Sequence, residues 1–438
     1  MTRKTKLSLL FSSLLFSSLL LLLLFPLFKG EEPREVRVRP DTFLTIFGNK
    51  WDADNLGAIE RIIDSFMHDN PRIAVTYEAI KGTAYFEALN ARSSSGTLDD
   101  LFMVNHDAAI SLHRSGRLAD LSDLKNTAGF DAAVMRYMRE SDGSLRWVPT
   151  TISAFGLYVN LDMLAAHGFT VPETLEGWET LCRYFVSRGI TPVVANNDIS
   201  LKTLMIGYSL HPYYEKNRDR EVLMSVNRGE TKLGDLLLPG LRLGERFVRE
   251  RWVDAAVAVK TKKTSQDLEI FAQGKSPFLL TGAWAVQRLK NLKPDFAFEV
   301  APYPISEEAP VLVGNLDTRF AVAENGERSA EAKKLLDYLL RADNMKNFAL
   351  STFSFSPLRI DLTLGTELRR IEKAFESRGM IPGSDDVLDL PIWKLMEKAS
   401  VMLLSGKSAE EVRVWLNRQT AANTHVKQTS VSEKQKSI

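Results

Sequence analysis

The feature that most restricts the fold is an alternation of strand-like and helix-like segments. TFLTIFG (42–48) is rich in strand formers, and an apolar stripe with helical spacing follows it from Leu56 to Phe66. RIAVTYEAI (72–80) then alternates apolar and polar residues, and a second helical pattern begins near Tyr85. Strands that alternate with helices form βαβ units, so the sequence predicts an α/β fold with a mainly parallel sheet.

The alternation continues through the rest of the chain. Further strands are predicted at 98–107, 156–160, 191–196, 276–282, 296–304 and 318–325, and helices at 174–188, 200–210, 240–252 and 329–343. After Pro391 the pattern is helical to about Ala422. Because 438 residues exceed the usual size of one domain, the sequence predicts at least two lobes.

Charge and cysteine content exclude several classes of protein. The 56 basic and 55 acidic residues give a formal net charge of +1, whereas a nucleic-acid-binding protein would carry a large basic excess. Cys182 is the only cysteine, so the chain can form neither an internal disulfide nor a cysteine-based zinc site. Its apolar neighbours at helical spacing predict a buried thiol that fills a core.

The N-terminus has the pattern of an export signal. Arg3, Lys4 and Lys6 precede an apolar run from Leu7 to Phe28, which predicts a segment whose positive end stays inside the cell. The run is long enough to span a bilayer, and large residues occupy the positions where a cleavage site needs small ones. An uncleaved anchor is therefore favoured over a cleaved signal peptide, and both stay open. No cysteine follows the run to carry a lipid, and in either case the body of the protein lies outside the cytoplasm.

No motif for catalysis is present in a usable form. LLSGKS (403–408) contains the end of a phosphate-binding loop, but the earlier glycine is missing and a helix precedes it. The six histidines lack the spacing of a zinc hydrolase, and no G-x-S-x-G elbow presents a serine. The number of acidic residues leaves a carboxylate pair for glycoside cleavage open, although no local arrangement selects two of them. We therefore predict no catalytic residue, no metal and no cofactor.

Five stretches of the chain occur in the order that is found in one protein family. They are LTIFGNKWDADNLGAIERIIDSFMHDNPRIAVTYE (44–78), DDLFMVNHDAAISLHRSGRLADL (99–121), GLYVNLDMLAAHGFTVPETLEGW (156–178), FAQGKSPFLLTGAWA (271–285) and PIWKLMEKASVMLLSGKSAEEVRVWL (391–416). With them the chain resembles the family 1 extracellular solute-binding proteins of ABC importers, of the maltodextrin-binding-protein type. The resemblance covers about residues 42–422. Each motif alone is loose, but five in the right order are hard to obtain by chance.

The resemblance implies a type II periplasmic-binding-protein fold, in which two α/β lobes with mainly parallel sheets surround a ligand cleft. It divides the chain into a signal peptide or uncleaved anchor (1–30), a spacer (31–41), an N-terminal lobe (42–150 plus 303–345), a C-terminal lobe (151–302 plus 346–425) and a disordered tail (426–438). The hinge is expected near Thr150 to Ala154, just before the strand that ends at Asn160. Thr174 is expected to cap the following helix.

The resemblance also implies a sugar site at the carboxyl ends of the strands. Sugar hydroxyls need polar side chains, and the C–H faces of sugars pack on aromatic rings. Trp284 matches the stacking tryptophan of the family, Trp393 matches a second stacking ring, and Asp107 matches the carboxylate that accepts sugar hydroxyls. A core position is the alternative for each tryptophan, and a helix cap is the alternative for Asp107.

The remaining candidates are polar or aromatic residues near the ends of strands: Asn49, Lys50, Trp51, Asn105, Asn315 and Asp317. Asp52, beside the first three, is equally suited to capping a helix. Turn chemistry explains Asn315 and Asp317 as well as a binding role does.

Two positions depart from the family pattern. Val104 stands where the maltodextrin-binding type has an aromatic residue, and Ser153 stands where it has a carboxylate. Both departures argue against a maltodextrin ligand but not against a sugar.

The implied function is that of a monomeric, non-catalytic binding protein. It captures a mono- or oligosaccharide by hinge closure and delivers it to the transmembrane subunits of an ABC permease. It would bind no nucleic acid and would contact the membrane through its N-terminal segment. Two alternatives stay open: a sensor subunit that presents ligand to a membrane histidine kinase, and a carbohydrate-active enzyme.

Overall fold

The computed structural model describes residues 39–140, 143–324, 326–360, 362–383 and 387–421. The predicted export segment (1–30), most of the spacer (31–41) and the predicted tail (426–438) lie outside these residues. Among the helices that the structure describes, none combines the length and the apolar character that crossing a membrane requires.

The N-terminal part follows the predicted alternation of strands and helices. Its elements are β1 (Thr42–Gly48), α1 (Ala53–Asp69), β2 (Ile73–Ala79), α2 (Thr83–Ser95), β3 (Leu101–Val104), α3 (His106–Arg114) and α4 (Ala132–Met138). β1 pairs in parallel with both β2 and β3. The carboxyl ends of β1 and β3 therefore lie at the same edge of the sheet, which is where α1 and α3 begin.

The middle of the chain begins with one long strand, β4 (Val148–Asn160), in which every residue is buried. It is followed by α5 (Leu161–Ala166), α6 (Leu175–Val186), β5 (Val193–Val194), α7 (Ser200–Glu215), α8 (Asp219–Asn227), α9 (Leu233–Arg249), α10 (Ala255–Ala258), α11 (Gln266–Ala272), β6 (Phe278–Gly282), α12 (Val286–Asn291) and β7 (Phe298–Ala301). Asn160 ends β4 because its side chain caps α5, accepting a 2.9 Å hydrogen bond from the backbone N–H of Met163. Thr174 caps α6 as predicted, through a 3.1 Å bond from Gly177.

The C-terminal part consists of β8 (Val313–Val322), α13 (Ser329–Leu339), α14 (Ala342–Ser351), α15 (Arg369–Arg378), β9 (Ile381–Pro382), α16 (Ile392–Leu404) and a final helix α17 at 409–421. The helix predicted at 329–343 is confirmed from Ser329 to Leu339, but α13 ends there and a second helix, α14, begins at Ala342. α14 packs into the core that contains β1 and α1, through Met345 and Phe348. The predicted lobe boundary at residue 345 falls inside this helix, and the division into lobes stays a prediction.

The nine strands form one mixed sheet with the order β2-β1-β3-β8-β4-β6-β5, while β7 pairs with β4 and β9 pairs with β8. Four pairings are parallel and four are antiparallel, so the sheet is less parallel than the sequence suggested. The antiparallel pairings all involve β4 or β8, the two strands that connect the halves of the molecule. Successive side chains of β4 point to opposite faces, so Ile152 and Ala154 enter one core while Phe155 and Leu157 enter the other.

Candidate ligand-binding cleft

Polar side chains of β4 and β8 share one face of the sheet, which we call the front face. Ser153 lies opposite Asn315 and Thr151 lies opposite Asp317, so these four side chains point to the same side. Ser153 Oγ donates a 2.6 Å hydrogen bond to Asp317 Oδ2. Phe155 follows Ser153 on this face. The front face therefore presents hydroxyl, amide and carboxylate groups beside an aromatic ring.

The two predicted stacking tryptophans meet at this aromatic ring. The ring centroid of Phe155 lies 5.4 Å from that of Trp284 and 5.5 Å from that of Trp393. Both indoles are half-buried and pack against the core. The indole of Trp284 covers Gly282, where a Cβ atom would come within 2.3 Å of the ring, so a larger residue at this position would displace the ring. The structure thus brings both rings together without enclosing either, and their stacking role stays a prediction.

A buried lysine covers part of the Trp393 ring. Lys202 is 0% exposed, and its Nζ atom lies 3.8 Å from the ring centroid, at cation–π distance. Nζ also donates a 2.5 Å hydrogen bond to Asp198 Oδ1, and Lys263 forms a second ion pair with the same carboxylate. Burial alone would raise the pKa of Asp198, but the two ammonium groups lower it to about 2. Lys202 therefore fixes the position of the indole through a charged network.

Asp107 carries a buried carboxylate oxygen that a ligand could use. It lies in the first turn of α3, close to Lys394 in α16, whose backbone acts to lower the pKa of its carboxyl. Its Oδ1 atom is buried and has no hydrogen-bond partner within the described ranges. Burial raises the pKa of Asp107, against the opposing effect of Lys202. A buried acceptor without a partner costs free energy, so a ligand hydroxyl that donated to it would be stabilised.

The cap of α3 is Asn105 and not Asp107. Asn105 Oδ1 accepts a 2.8 Å hydrogen bond from the backbone N–H of Ala108. The capping alternative that we considered for Asp107 is therefore wrong, and it applies to its neighbour. With its Oδ1 used in this way, Asn105 is a positioning residue for the start of α3.

The loop after β1 brings three further candidates to the same edge. The backbone N–H of Asn49 donates to Met103 Sδ at 3.4 Å, and Asn49 Oδ1 is buried without a partner in the described part of the chain. Lys50 reaches over the sheet toward the front face. Trp51 is 44% exposed, and Lys81 Nζ lies 4.2 Å from its ring centroid. This loop thus offers a ligand a buried amide oxygen and a partly exposed ring.

Asp317 is held by groups from both sides of the cleft. Lys50 Nζ lies 3.7 Å from Asp317 Oδ2, the oxygen that also accepts from Ser153. Burial acts to raise the pKa of Asp317, but the Lys50 ammonium and the Ser153 hydroxyl outweigh it, so the pKa lies below its usual value. The group is therefore a carboxylate at neutral pH.

Asn315 lies next to Trp393. A Cβ atom at Gly383 would come within 3.0 Å of Asn315 Oδ1 and 3.2 Å of the Trp393 ring, so the two side chains flank one small residue. Asn315 and Asp317 both lie inside β8, which begins five residues before the predicted strand. The turn interpretation of these two residues is therefore wrong.

Direct contacts bridge the rim of the cleft. Asp52 caps α1 by accepting from the backbone N–H of Asn55 at 3.3 Å, and its other oxygen lies 3.5 Å from the guanidinium of Arg288 in α12. The buried His106 places Nε2 3.1 Å from the carbonyl oxygen of Leu390, just before α16. The elements that follow β1 and β3 therefore already touch those that carry Trp284 and Trp393.

A cavity of about 610 Å³ lies on the opposite, reverse face of β4. Its apolar walls include Ile152, Leu312, Phe355 and Phe375. None of the nine predicted site residues belongs to its lining. The cavity therefore lies away from the predicted site residues.

The sequence patterns did not select Phe155, Lys202 or Arg288 as residues of the site. A signal existed for Lys202, which is the only charged residue between Ser200 and Leu210. An isolated lysine in an apolar helix needs a buried partner, and here the partners are Asp198 and the Trp393 ring.

Comparisons with known proteins agree on one family. The family model of bacterial extracellular solute-binding proteins matches residues 61–368. The melibiose/raffinose/stachyose-binding protein MelE of Bacillus subtilis is 23% identical over 326 residues, which cover 70% of this chain and 72% of MelE.

Solved structures share the fold. A family 1 extracellular solute-binding protein from Bifidobacterium longum subsp. infantis superimposes with a TM-score of 0.71 at 18% identity, covering 87% of this chain and 100% of its own. A sugar transporter from Bacillus licheniformis in complex with stachyose gives a TM-score of 0.68 at 18% identity, covering 86% and 99%. The chain belongs to the bacterial extracellular solute-binding proteins, and the fold that its sequence predicts is confirmed.

Proposed function

We propose that this protein binds a mono- or oligosaccharide between its two halves and delivers it to the transmembrane subunits of an ABC permease. The proposal depends most on one observation: two half-buried indoles meet at Phe155 on a face that also carries Asn315 and Asp317. Rings supply the apolar surface that sugar C–H groups require, and carboxylate and amide groups supply hydroxyl partners.

The names of the relatives support a sugar as the ligand. MelE is named for melibiose, raffinose and stachyose, and the Bacillus licheniformis protein is described in complex with stachyose. Raffinose and stachyose are therefore the first ligands to test on this chain.

The proposed role is non-catalytic. Glycoside cleavage uses an acid and a second carboxylate on opposite sides of the scissile bond. The front-face carboxylate Asp317 is instead held by Lys50 and Ser153, an arrangement that suits a fixed hydrogen-bond acceptor.

We further propose that the protein acts as a monomer, tethered to the membrane by the apolar run from Leu7 to Phe28. The tether also suits a sensor subunit for a membrane histidine kinase, and the two roles differ in their partner. Copurification with a permease or with a kinase from detergent-solubilised membranes separates them.

Isothermal titration with raffinose, stachyose and maltotriose tests the proposal. We expect saturable binding of at least one sugar, and we expect chromatography after overnight incubation to return that sugar uncut. Trp284→Ala should weaken this binding. Trp415→Ala is its control, because Trp415 is also half-buried but lies on α17, which contacts α9 through the ion pair of Arg413 with Asp235. Failure of all three sugars to bind, or the appearance of cleavage products, would contradict the proposal.

A further inference from the structure

Thr318 has an unusual backbone conformation in the middle of β8. Its φ angle is 45°, in the left-handed region that β-branched residues rarely adopt. β4 and β8 keep one register from Val148↔Phe320 to Phe155↔Val313, but Thr318 has no partner among the described pairings. β8 is therefore kinked at Thr318 without a slip in register.

Two threonines of the neighbouring strand hold this kink. Thr150 Oγ1 donates a 3.0 Å hydrogen bond to the carbonyl oxygen of Thr318, and Thr151 Oγ1 donates a 3.0 Å bond to Thr318 Oγ1. All three residues are buried, so the Thr150 hydroxyl gives the Thr318 carbonyl a partner inside the protein, and the Thr151 hydroxyl holds the Thr318 side chain. A strained backbone persists only where its surroundings fix it in this way.

The kink lies where β8 changes neighbours. Residues 319–322 pair with β3, whereas residues 313–314 pair with β9. Asp317, directly before Thr318, accepts the 2.6 Å bond from Ser153 on the front face. A change of backbone angles at Thr318 would therefore move the two halves of β8 relative to each other, and would move Asp317 with them.

A second segment beside β4 has the same property. Phe353 has a φ angle of 48°, and two residues later Phe355 exchanges backbone hydrogen bonds of 2.8 and 2.9 Å with Ile152. A left-handed residue other than glycine thus occurs on each side of the β4 segment where the sequence predicts the hinge. Hinges are residues that absorb large changes of φ and ψ.

We propose that Thr318 is the positioning residue and pivot of this hinge, and that its left-handed conformation belongs to the closed form in which Lys50 and Ser153 meet Asp317. The part of this inference that concerns ligand binding rests on the proposed sugar-binding function, whereas the assignment of the pivot does not. The energetics follow from the backbone: a residue that tolerates the left-handed region favours the closed form, and one that avoids it favours an open form.

Two substitutions at this position are expected to act in opposite directions. Thr318→Asn keeps an oxygen acceptor for Thr151 and tolerates positive φ, so it favours closure. Thr318→Val keeps the shape but removes the acceptor and retains the steric penalty, so it favours opening. Thr203→Val is the control, because the buried Thr203 hydroxyl bonds to Tyr303 at 2.8 Å, in the core of the other half.

The first measurement is made without sugar. Spin labels at Glu87→Cys on α2 and Arg188→Cys after α6 report the distance between the halves by pulsed EPR, and the buried Cys182 stays unlabelled. We expect a shift toward short distances for Thr318→Asn, a shift toward long distances for Thr318→Val, and no shift for Thr203→Val. Identical distributions, or shifts in the same direction for both Thr318 variants, would overturn the pivot.

The second measurement is the Kd for raffinose. We expect it to fall at least threefold in Thr318→Asn and to rise at least threefold in Thr318→Val, because ligand binds the closed form. If the unaltered protein binds no sugar, the proposed function fails, and the distance measurement still decides the pivot. Should Thr318→Val fail to fold, Thr151→Val removes the same hydrogen bond and must show the same shift toward long distances between the spin labels.

Discussion

The two faces of β4 offer a ligand very different surroundings. On the front face, Ser153 bonds to Asp317 and Phe155 meets two indoles. On the reverse face, Ile152 and Phe355 line a cavity of about 610 Å³, whose wall also carries charged residues such as Arg136, Asp219 and Glu372. By volume, the reverse cavity is the better candidate for a ligand site, whereas the two adjacent indoles make the front face the better candidate for a sugar site. The comparison shows that the composition of the walls decides which ligand a space can hold.

The faces also differ in how their charged groups are used. On the reverse side, Arg136 pairs with the buried Asp219 at 2.5 Å, and Arg359 pairs with Asp131 at 2.9 Å. On the front side, the Oδ1 atoms of Asp107 and Asn49 are buried without partners in the described residues; the reverse cavity has one such atom, His211 Nδ1. The front side thus has hydrogen-bond acceptors that the described protein groups do not use, which suits a ligand rich in hydroxyl donors.

The largest expected effect compares one aromatic ring from each face. Trp284→Ala should weaken sugar binding by about 1–3 kcal/mol, roughly 5- to 150-fold, through lost stacking and burial. Phe375→Ala, in the wall of the reverse cavity, should leave the affinity within a factor of two. Titration calorimetry with the sugar that binds the unaltered protein measures both. Equal losses in the two variants would show that the faces are not functionally distinct.

A reverse-face ion pair should affect stability and not affinity. Arg136→Met leaves the carboxylate of Asp219, whose side chain is 3% exposed, without its ion-pair partner. We expect the free energy of unfolding to fall by roughly 1–3 kcal/mol, less than for a fully buried pair because Arg136 is half-exposed. Urea denaturation measures this loss, and titration of the same variant should give the unaltered affinity. A weaker affinity at unchanged stability would place the ligand on the reverse face.

The local patterns of the sequence predicted elements well where one face of an element is exposed. α1 and α6 alternate buried and exposed positions, and both were predicted. In β4 all thirteen residues are buried, so no alternation marks its first half, and only residues 156–160 were predicted as a strand. A pattern can report burial on one side, but it cannot show that a strand is buried on both.

The candidate site shows the same limit at the level of single residues. Trp284 and Trp393 follow from motifs, because each motif also specifies the strand or helix that carries the ring. Lys202 and Phe155 become important only when α7, β4 and α16 pack together, and no local pattern specifies that packing. The order of the motifs along the chain therefore predicted the two rings of the cleft. The residues that support these rings could be identified only from the structure.

The unused oxygen of Asp107 predicts a pH dependence on the front face. Burial raises the pKa of this carboxyl above its ordinary 3.8, so it takes up a proton at a higher pH than an exposed aspartate does. A sugar hydroxyl that donates to the carboxylate favours its ionised form, so affinity should fall as the pH falls through this raised pKa. Asp107→Asn should bind about 1 kcal/mol more weakly at neutral pH, because a charged acceptor forms the stronger bond.

The test is a series of titrations between pH 7 and pH 4. Asp107→Asn should lose the pH dependence of the unaltered protein. Asp317 cannot produce the same profile, because its pKa lies below the usual value and it stays ionised over this range. An equal pH dependence in Asp107→Asn and the unaltered protein would remove Asp107 from the site.

The smallest expected effect compares two exposed ion pairs, one on each face. Arg288 lies 3.5 Å from Asp52 at the front rim, and Arg359 lies 2.9 Å from Asp131 at the reverse side. Such pairs contribute about 0–1 kcal/mol each, so neither substitution by glutamine should change stability much.

The positions of the two pairs differ, however, since the front pair joins two elements that must separate for ligand to enter. Arg288→Gln should therefore weaken sugar binding by no more than about fivefold at low ionic strength, and this difference should vanish in high salt, where exposed charges are screened. Arg359→Gln should give the unaltered affinity at both salt concentrations. If Arg359→Gln instead produced the salt-dependent loss, closure would depend on the reverse face, and the assignment of the two faces would have to be exchanged.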